Sequence, residues 1–211
     1  IFDNISFALN KNDKVAFASR KDIATSTLFK KLMGEMEADG GTFKWGVTTS
    51  RSYLPKDHTN EFPVADITIL EWLRQFAGKE EDDNTFLRSF LGRMLFSGED
   101  VMKKVSVLSG GEKVRIILSK MMLSKANVLV LDDPTNHLDL ESITALNDGM
   151  IAFKGALLFT SHDYEFINTT ANRIIELTPN GVVDRMETTY EDFLADKDVQ
   201  ARINALYKEQ A

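Results

Sequence analysis

The feature that most constrains this chain is a glycine-led helix start followed, after one helical stretch, by a hydrophobic strand that ends in two aspartates. The helix start consists of Leu108, Ser109, Gly110, Gly111 and Glu112. The strand, residues 128–131, runs directly into Asp132 and Asp133. A helix N-terminus presents free N–H groups and a partial positive charge to phosphate, and a carboxylate at a strand end can bind a metal ion. This order of segments predicts an α/β fold with an anion site and a metal site.

Charge and composition exclude several classes of protein. The 211 residues carry a net charge of −7, so any RNA contact is expected to be local or to come from another part of a longer protein. The absence of cysteine excludes disulfides, cysteine-ligated zinc and thiol chemistry. No run approaches the roughly 18 apolar residues that span a bilayer, and no signal-peptide pattern is present, so a cytoplasmic location is expected. The first residues begin in the middle of a strand pattern without an initiator Met, so we expect the chain to be a fragment or a domain of a longer protein.

Strand and helix patterns alternate along most of the chain, which predicts a mostly parallel sheet with helices on both faces. The predicted strands are residues 5–9, 14–18, 42–45, 128–131, 156–159, 173–177 and 182–186. Residues 57–105 have helical patterns and predict a helical subdomain inserted in the core. Residues 190–211 predict a charged amphipathic helix at the C-terminal end. We expect residues 1–211 to form one domain with this insertion.

Three side chains at strand ends are candidates for chemistry. Asp132 is expected to hold Mg²⁺, and Asp133 to orient or activate the attacking water. His162 follows the apolar residues 157–159 and is a candidate contact to a terminal phosphate. The structural alternatives are a simple Asp-Asp-Pro turn and a histidine that serves only in packing.

Taken together, these segments resemble the signature and Walker B motifs of ATP-binding-cassette (ABC) ATPases. Asn136, His137, Leu138 and Asp139 resemble the D-loop of the ABC-F family rather than that of membrane-transporter cassettes. Residues 90–98 and 190–194 resemble the second, C-terminal cassette of a YbiT-type member. The resemblance implies a P-loop NTPase-like core with a mostly parallel sheet, an antiparallel β edge and an inserted helical subdomain. It also implies ATP and Mg²⁺ as cofactors.

The loop after the first buried strand departs from the family pattern Gly-x-x-x-x-Gly-Lys-Ser/Thr. Ser19 and Ala24 replace the two glycines, and Thr25 replaces the lysine. Ser26, in the metal-binding position, is retained and is followed by Thr27. The missing lysine removes a charge-assisted contact, and the missing glycines change the shape of the phosphate cradle. We therefore expect this degenerate Walker A loop to bind ATP poorly.

Three further residues change the same site. Asp22 adds a negative charge near the expected phosphate position. Lys56 stands where the family has a glutamine that contacts Mg²⁺, and Asp133 stands where it has a glutamate. A lysine replaces lost positive charge but cannot coordinate the metal.

The resemblance implies that two cassettes close head to tail, so that each ATP lies between the Walker motifs of one and the signature of the other. We expect this chain to donate its signature to a second cassette, in the same polypeptide or in a homodimer. The isolated chain is expected to be a weak or inactive ATPase. Ribosome or rRNA is the partner that the ABC-F resemblance implies. The alternatives are the ATPase subunit of an ABC transporter and a non-catalytic interaction module on a cassette fold.

Overall fold

The computed structural model describes residues 1–57, 61–62, 66–136 and 138–208. The chain forms two compact units, each made of separate stretches of sequence. The first, called the sheet unit, comprises Ile1–Lys56, Asn127–Pro134 and Lys154–Ala211. The second, called the helical unit, comprises Asp57–Ala126 and Thr135–Phe153.

Strands and helices alternate over much of the described sequence. The strands are β1 Lys14–Ala18, β2 Arg51–Leu54, β3 Val128–Asp132, β4 Ala156–Thr160, β5 Arg173–Thr178 and β6 Gly181–Met186. The helices are α1 Asp22–Met33, α2 Ile69–Arg74, α3 Asn84–Gly92, α4 Gly110–Leu123, α5 Leu140–Ala152, α6 Tyr164–Thr170, α7 Tyr190–Ala195 and α8 Lys197–Lys208. Two short 3₁₀ helices, Gly98–Met102 and Val105–Val107, lie between α3 and α4.

The strands of the sheet unit form one sheet in the order β2-β3-β4-β1-β5-β6. All neighbouring pairs run parallel except β5 and β6, which are antiparallel. Every residue of β3 and of β4 is buried, as their continuous apolar runs predict. The predicted α/β class, with a mostly parallel sheet and an antiparallel edge, is confirmed.

Helix α1 is fixed to the sheet by an aromatic and aliphatic core. Leu28 and Phe29 pack in one cluster with Val15, Phe17 and apolar residues of β3, β4 and β5. The Phe17 and Phe29 rings meet edge to face with centroids 5.5 Å apart. Burial of each such side chain stabilises the fold by about 1.5–3 kcal/mol. This packing sets the position of the loop between β1 and α1.

The helical unit consists of α2 to α5 and the two 3₁₀ helices. Among its helices, α2 packs on α3 and α4, and α4 packs on α5. The starts of α2 and α4 are each closed by a capping box, Thr68 with Glu71 and Ser109 with Glu112. This unit starts where the helical insertion is expected but extends beyond residue 105, because α4 and α5 belong to it.

Two expected strands, residues 5–9 and 42–45, are absent from the strands of the described chain. Ile5, Phe7 and Leu9 nevertheless pack against the core of the sheet unit, and the residues between them are exposed. The alternation in residues 5–9 therefore correctly indicates which side chains face inward, but no strand within the described residues supplies the ladder hydrogen bonds that define a strand.

The range expected to hold a single C-terminal helix contains two, α7 and α8. Asp196 lies between them in an extended conformation, and its carboxylate accepts hydrogen bonds from the N–H groups of Asp198 and Val199. An aspartate in this position caps a new helix start, which explains the interruption. Residues 209–211 lie outside the described residues.

Candidate functional site

The carboxyl end of β3 carries a buried aspartate held by the neighbouring strand. Asp132 is 3 % exposed, and its Oδ1 accepts a hydrogen bond of 3.2 Å from Thr160 Oγ1. The other oxygen, Oδ2, is buried without a hydrogen-bond partner in the described part of the chain. Burial raises the pKa of Asp132, although the hydroxyls of Ser26 and Thr160 oppose that rise. A buried carboxylate oxygen with spare capacity is suited to a metal ion.

Asp133 lies beside this carboxylate with left-handed backbone geometry, at a φ of 56°. Its N–H donates to Thr160 Oγ1 at 2.9 Å, so one threonine holds both aspartates. Its side chain is 7 % exposed, and Oδ2 lies 3.5 Å from the Lys56 ammonium. The negative charge expected to orient a water is thus paired with a cation of the protein.

Lys56 and His162 also converge on the first residue of α1. The carboxylate oxygen Oδ2 of Asp22 lies 3.4 Å from Lys56 Nζ and accepts a hydrogen bond of 3.2 Å from His162 Nε2. Burial alone would raise the pKa of Asp22, but His162 and Lys56 hold it below its ordinary value. Burial would likewise lower the pKa of Lys56, but Asp133 and Asp22 raise it. Ion pairs and hydrogen bonds therefore link four side chains: Asp22, Lys56, Asp133 and His162.

The loop between β1 and α1 and the first turns of that helix place the other predicted residues in different surroundings. Ala24, Thr25 and Thr27 are buried, and Thr25 Oγ1 donates to the backbone oxygen of Asp22 at 2.8 Å. The hydroxyl in the position of the usual lysine therefore closes a turn of α1. Ser26 is partly exposed and lies near Asp132, as its expected metal-binding position requires.

A tyrosine of α8 holds the start of this loop, and no local sequence pattern indicates this contact. The Tyr207 hydroxyl oxygen accepts a hydrogen bond of 2.9 Å from the Arg20 N–H and lies 3.4 Å from Ser19 Oγ. It also lies 3.0 Å from a carboxylate oxygen of Glu176. The Arg20 guanidinium stacks on the tyrosine ring, 4.0 Å from its centroid. Contacts with Tyr207 thus hold Ser19 and Arg20 in place.

A small polar cavity of about 110 Å³ connects these groups. Its lining includes five of the residues that the sequence predicts for the site: Ser19, Thr25, Asp132, Asp133 and His162. The end of this cavity at Asp132 fits Mg²⁺, since Asp132 and the neighbouring Ser26 offer oxygen ligands and Mg²⁺ takes its others from water and phosphate. Among the described residues, no group of three or more His, Cys, Asp or Glu side chains forms a complete metal cage.

The phosphate half does not fit a nucleotide in the arrangement described. The loop brings the Asp22 carboxylate into the cavity lining, and Lys56 and His162 are engaged with it. A triphosphate would meet this negative charge where it requires positive charge or N–H donors. The sequence pattern indicated both the added acid and the lost lysine, but not that Asp22 bonds to the two donors.

The signature residues lie in the helical unit, at the start of α4. Ser109 Oγ accepts from the Glu112 N–H at 3.3 Å, and Glu112 Oε2 accepts from the Ser109 N–H at 2.9 Å. Gly110 is exposed, with no atom within 4 Å of the place where a Cβ would stand. Lys103 Nζ lies 3.2 Å from Glu112 Oε1 and steadies the box, and Leu108 is buried beneath it. The helix start is preformed and open to an anion.

The D-loop residues also lie in the helical unit. Asn136 is exposed, and the Leu138 N–H donates to the backbone oxygen of Thr135 at 3.2 Å. Asp139 caps α5 by accepting from the Ser142 N–H at 2.8 Å, a structural role that its place before an apolar helical pattern indicates. His137 lies outside the described residues.

None of the described helices has the length and apolar character needed to cross a bilayer.

Three curated bacterial relatives match almost the whole chain. The uncharacterised ABC transporter ATP-binding protein YkpA of Bacillus subtilis is 60% identical over 99% of this chain, which spans 38% of its length. The probable ATP-binding protein YbiT of Escherichia coli O157:H7 is 42% identical over 95%, spanning 37%. The energy-dependent translational throttle protein EttA of Escherichia coli K12 is 31% identical over 92%, spanning 35%.

A solved structure shares the fold. It is a dimeric, post-hydrolysis state of an ATP-binding cassette bound to ADP and phosphate, with a TM-score of 0.70 over 90% of this chain and 91% of that one, at 15% identity. The family described as ABC transporter matches residues 2–136. These matches agree with the paired carboxylates at the end of β3 and the open helix start of α4. The chain therefore belongs to the ABC transporter family, as an ATP-binding cassette of the ABC-F type.

Proposed function

We propose that this chain is one cassette of a two-cassette ABC-F ATPase. It donates residues 108–112 to a composite ATP site built on the Walker motifs of a partner cassette. The site on its own loop, residues 19–27, binds nucleotide weakly and turns over slowly. The partner is a second cassette of the same polypeptide or of a homodimer, and ATP-driven closure acts on the ribosome in the cytoplasm.

The observation that carries this proposal is the contrast between the two nucleotide-facing surfaces of the chain. The start of α4 is capped, exposed and free of side chains at Gly110. The cavity of the sheet unit contains Asp22, whose carboxylate is paired with Lys56 and His162. One surface is prepared to bind phosphate, and the other meets phosphate with a negative charge.

In this composite site, Ser109 and the first N–H groups of α4 bind and orient the terminal phosphate that the partner cassette holds. The Ser109 hydroxyl accepts a capping bond, so its own hydrogen stays available to donate. In the chain's own site, Asp132 and Ser26 would hold the metal ion, which supplies charge neutralisation when bound. Asp133 and His162 would position the attacking water and the terminal phosphate, but both are engaged by Lys56 and Asp22.

The ribosome is proposed from the relatives. EttA is named as a translational throttle protein, and this chain is 31% identical to it. The chain spans less than two fifths of each of the three relatives, which leaves room for a second cassette in proteins of that length. A non-catalytic module is the second candidate. The neutral Thr25 stands where the family has a lysine, and it is buried and hydrogen-bonded within α1, so this position offers no positive charge to a phosphate.

The test compares ATP hydrolysis by the two-cassette polypeptide after changes in each surface. Gly110→Asp has space for its Cβ and sets a carboxylate beside the start of α4, so we expect hydrolysis to fall about tenfold or more. Thr25→Ala should change the rate less than about twofold, since one weak contact within α1 is lost. Gly40→Asp, also at an open position, is the matched control.

A large loss of hydrolysis in Thr25→Ala, with Gly110→Asp as active as the control, would contradict the proposed asymmetry. Full hydrolysis by the isolated wild-type chain would also contradict it. If neither variant changes the rate and both remain folded, the result favours the non-catalytic module. Thermal unfolding of each variant establishes that the fold is kept.

A further inference from the structure

Asp22 lies where the loop between β1 and α1 meets the helix. It is the first residue of α1, and its side chain is about half exposed. Its Oδ2 is approached by two donors from distant parts of the sequence, Lys56 just after β2 and His162 just after β4. One carboxylate oxygen thus joins three elements at the carboxyl end of the sheet.

The proposed function would use one of these two donors, His162, to bind a terminal phosphate. Lys56 is the only lysine or arginine among the described residues that line the cavity, and it adds a positive charge there. A carboxylate oxygen and a phosphate oxygen satisfy such donors in the same way, by accepting charge-assisted hydrogen bonds. Asp22 therefore presents to both donors what the ligand would present.

We infer that the Asp22 carboxylate is an internal substitute for the terminal phosphate of ATP in this cassette's own site. This inference rests on the proposed function, which assigns that phosphate to His162. The inference adds that the Asp22 side chain itself disfavours ATP binding, beyond the effect of the missing lysine and glycines.

The position of Lys56 extends the substitution to the cation. Its Nζ lies 3.4 Å from Asp22 Oδ2 and 3.5 Å from Asp133 Oδ2. The ammonium thus lies between the carboxylate that replaces phosphate and the carboxylate that would orient water. A nucleotide that brings its own γ-phosphate and metal ion must displace both partners of Lys56, whereas ADP brings no group that competes with Asp22.

The consequence is a selective effect on nucleotide binding. Removal of the charge at residue 22 frees two donors and removes a repulsion that acts at hydrogen-bond distance. The gain should be large for Mg²⁺–ATP, whose γ-phosphate takes the vacated place, and small for Mg²⁺–ADP. A general repair of the loop would instead improve both nucleotides equally.

The experiment measures the dissociation constants of Mg²⁺–ATP and Mg²⁺–ADP by calorimetry on the 211-residue chain. Asp22→Asn keeps the shape of the side chain without its charge, and Asp22→Glu keeps the charge. For Asp22→Asn we expect ATP to bind about tenfold tighter or more, with ADP changed less than about threefold. Asp22→Glu should bind ATP as the wild type does. Asp39→Asn is the matched control, since Asp39 is a fully exposed aspartate that pairs with Lys31.

An unchanged ATP affinity in Asp22→Asn, or an equal gain for ATP and ADP, would overturn the inference. If that outcome is obtained while the wild-type chain binds ATP weakly, the inference about Asp22 fails but the proposed asymmetry between the two sites stands. If the wild-type chain binds ATP tightly, the weak site of the proposed function fails together with the inference. Thermal unfolding of every variant verifies that the comparison is made between folded proteins.

Discussion

At the scale of single residues, two aspartates of this chain have opposite electrostatic surroundings. Burial raises the pKa of Asp132, whereas hydrogen bonds from Ser142 lower the pKa of Asp139. The folded state therefore binds the Asp132 proton more tightly than the unfolded chain does, and the Asp139 proton less tightly. By linkage, the Asp132 contribution to stability falls as the pH rises from the ordinary value of 3.8 through its folded pKa.

We predict that Asp132→Asn stabilises the chain at pH 7, by about 1 kcal/mol or more, because it removes a buried charge that lacks a partner at one oxygen. The gain should shrink as the pH falls through the raised folded pKa and disappear below the ordinary value of 3.8, where the carboxyl is neutral in both states. Urea unfolding at a series of pH values measures it.

Asp139→Asn is the control of opposite sign. The pKa of Asp139 is lowered in the folded state, so its carboxylate stabilises the fold above pH 3.8, and that contribution is lost on acidification. We expect Asp139→Asn to lower stability at pH 7 and to approach the wild type in acid. A destabilised Asp132→Asn at pH 7 would show that the lone carboxylate oxygen is satisfied.

The roles of single residues differed in how far the sequence could predict them. Asp132 and Ser109 stand in local patterns, a strand end and a helix start, so their positions follow from neighbouring residues. The contacts of Asp22 with Lys56 and His162 join residues 34 and 140 positions apart. Such contacts depend on the order of strands in the sheet, which no local pattern contains.

At the scale of elements, a buried arginine of β5 holds the N-terminal segment that was expected to be a strand. The side chain of Arg173 is 3 % exposed and pairs with Asp184 through two nitrogens. Its Nη1 lies 2.7 Å both from the backbone oxygen of Ala8 and from Asp13 Oδ2. These contacts explain how residues near 5–9 are fixed without ladder hydrogen bonds.

Arg173→Ala should destabilise the chain by about 3–5 kcal/mol, because it leaves two carboxylates of a largely buried network without their cation. Arg185 on β6 is the matched control, since it pairs with Asp196 at 3.0 Å but is about half exposed. We expect Arg185→Ala to cost about 1 kcal/mol or less. Chemical denaturation of both variants tests this, and equal losses would contradict the difference in burial.

Elements with strong local signals were predicted closely. The apolar runs of β3 and β4 appear within one residue of the expected ranges. The strand β2 was missed, because its residues 51–54 lack both an apolar run and clear alternation. The C-terminal interruption was missed because the helical pattern continues across Asp196, while the capping bonds of that side chain depend on geometry.

At the scale of the whole molecule, charge limits how the proposed ribosome binding can arise. A net charge of −7 gives little counterion release on RNA, so we expect affinity to come from ATP-driven assembly with the rest of the polypeptide. We predict that the two-cassette polypeptide cosediments with ribosomes in ATP when Asp133→Asn is combined with the corresponding change in the partner cassette. Asn tolerates the left-handed backbone at residue 133, so the fold is kept.

The same polypeptide with Asp39→Asn is the control, and nuclease treatment should abolish the cosedimentation. Absence of ribosome association in the slowed variant would contradict the translation proposal. The outcome would then favour the transporter subunit or the non-catalytic module.

The order of strands also has a consequence for folding of this chain during its synthesis. β1 lies between β4 and β5, with Val15 opposite Leu158 and Arg173. During synthesis at about 5–20 residues per second, β1 waits roughly 7–28 seconds before either neighbour is made. The backbone N–H and C=O groups along both edges of β1 are unpaired during that interval. The nascent sheet unit is therefore expected to need chaperones, and the cavity at the carboxyl end of the sheet is among the last features to form.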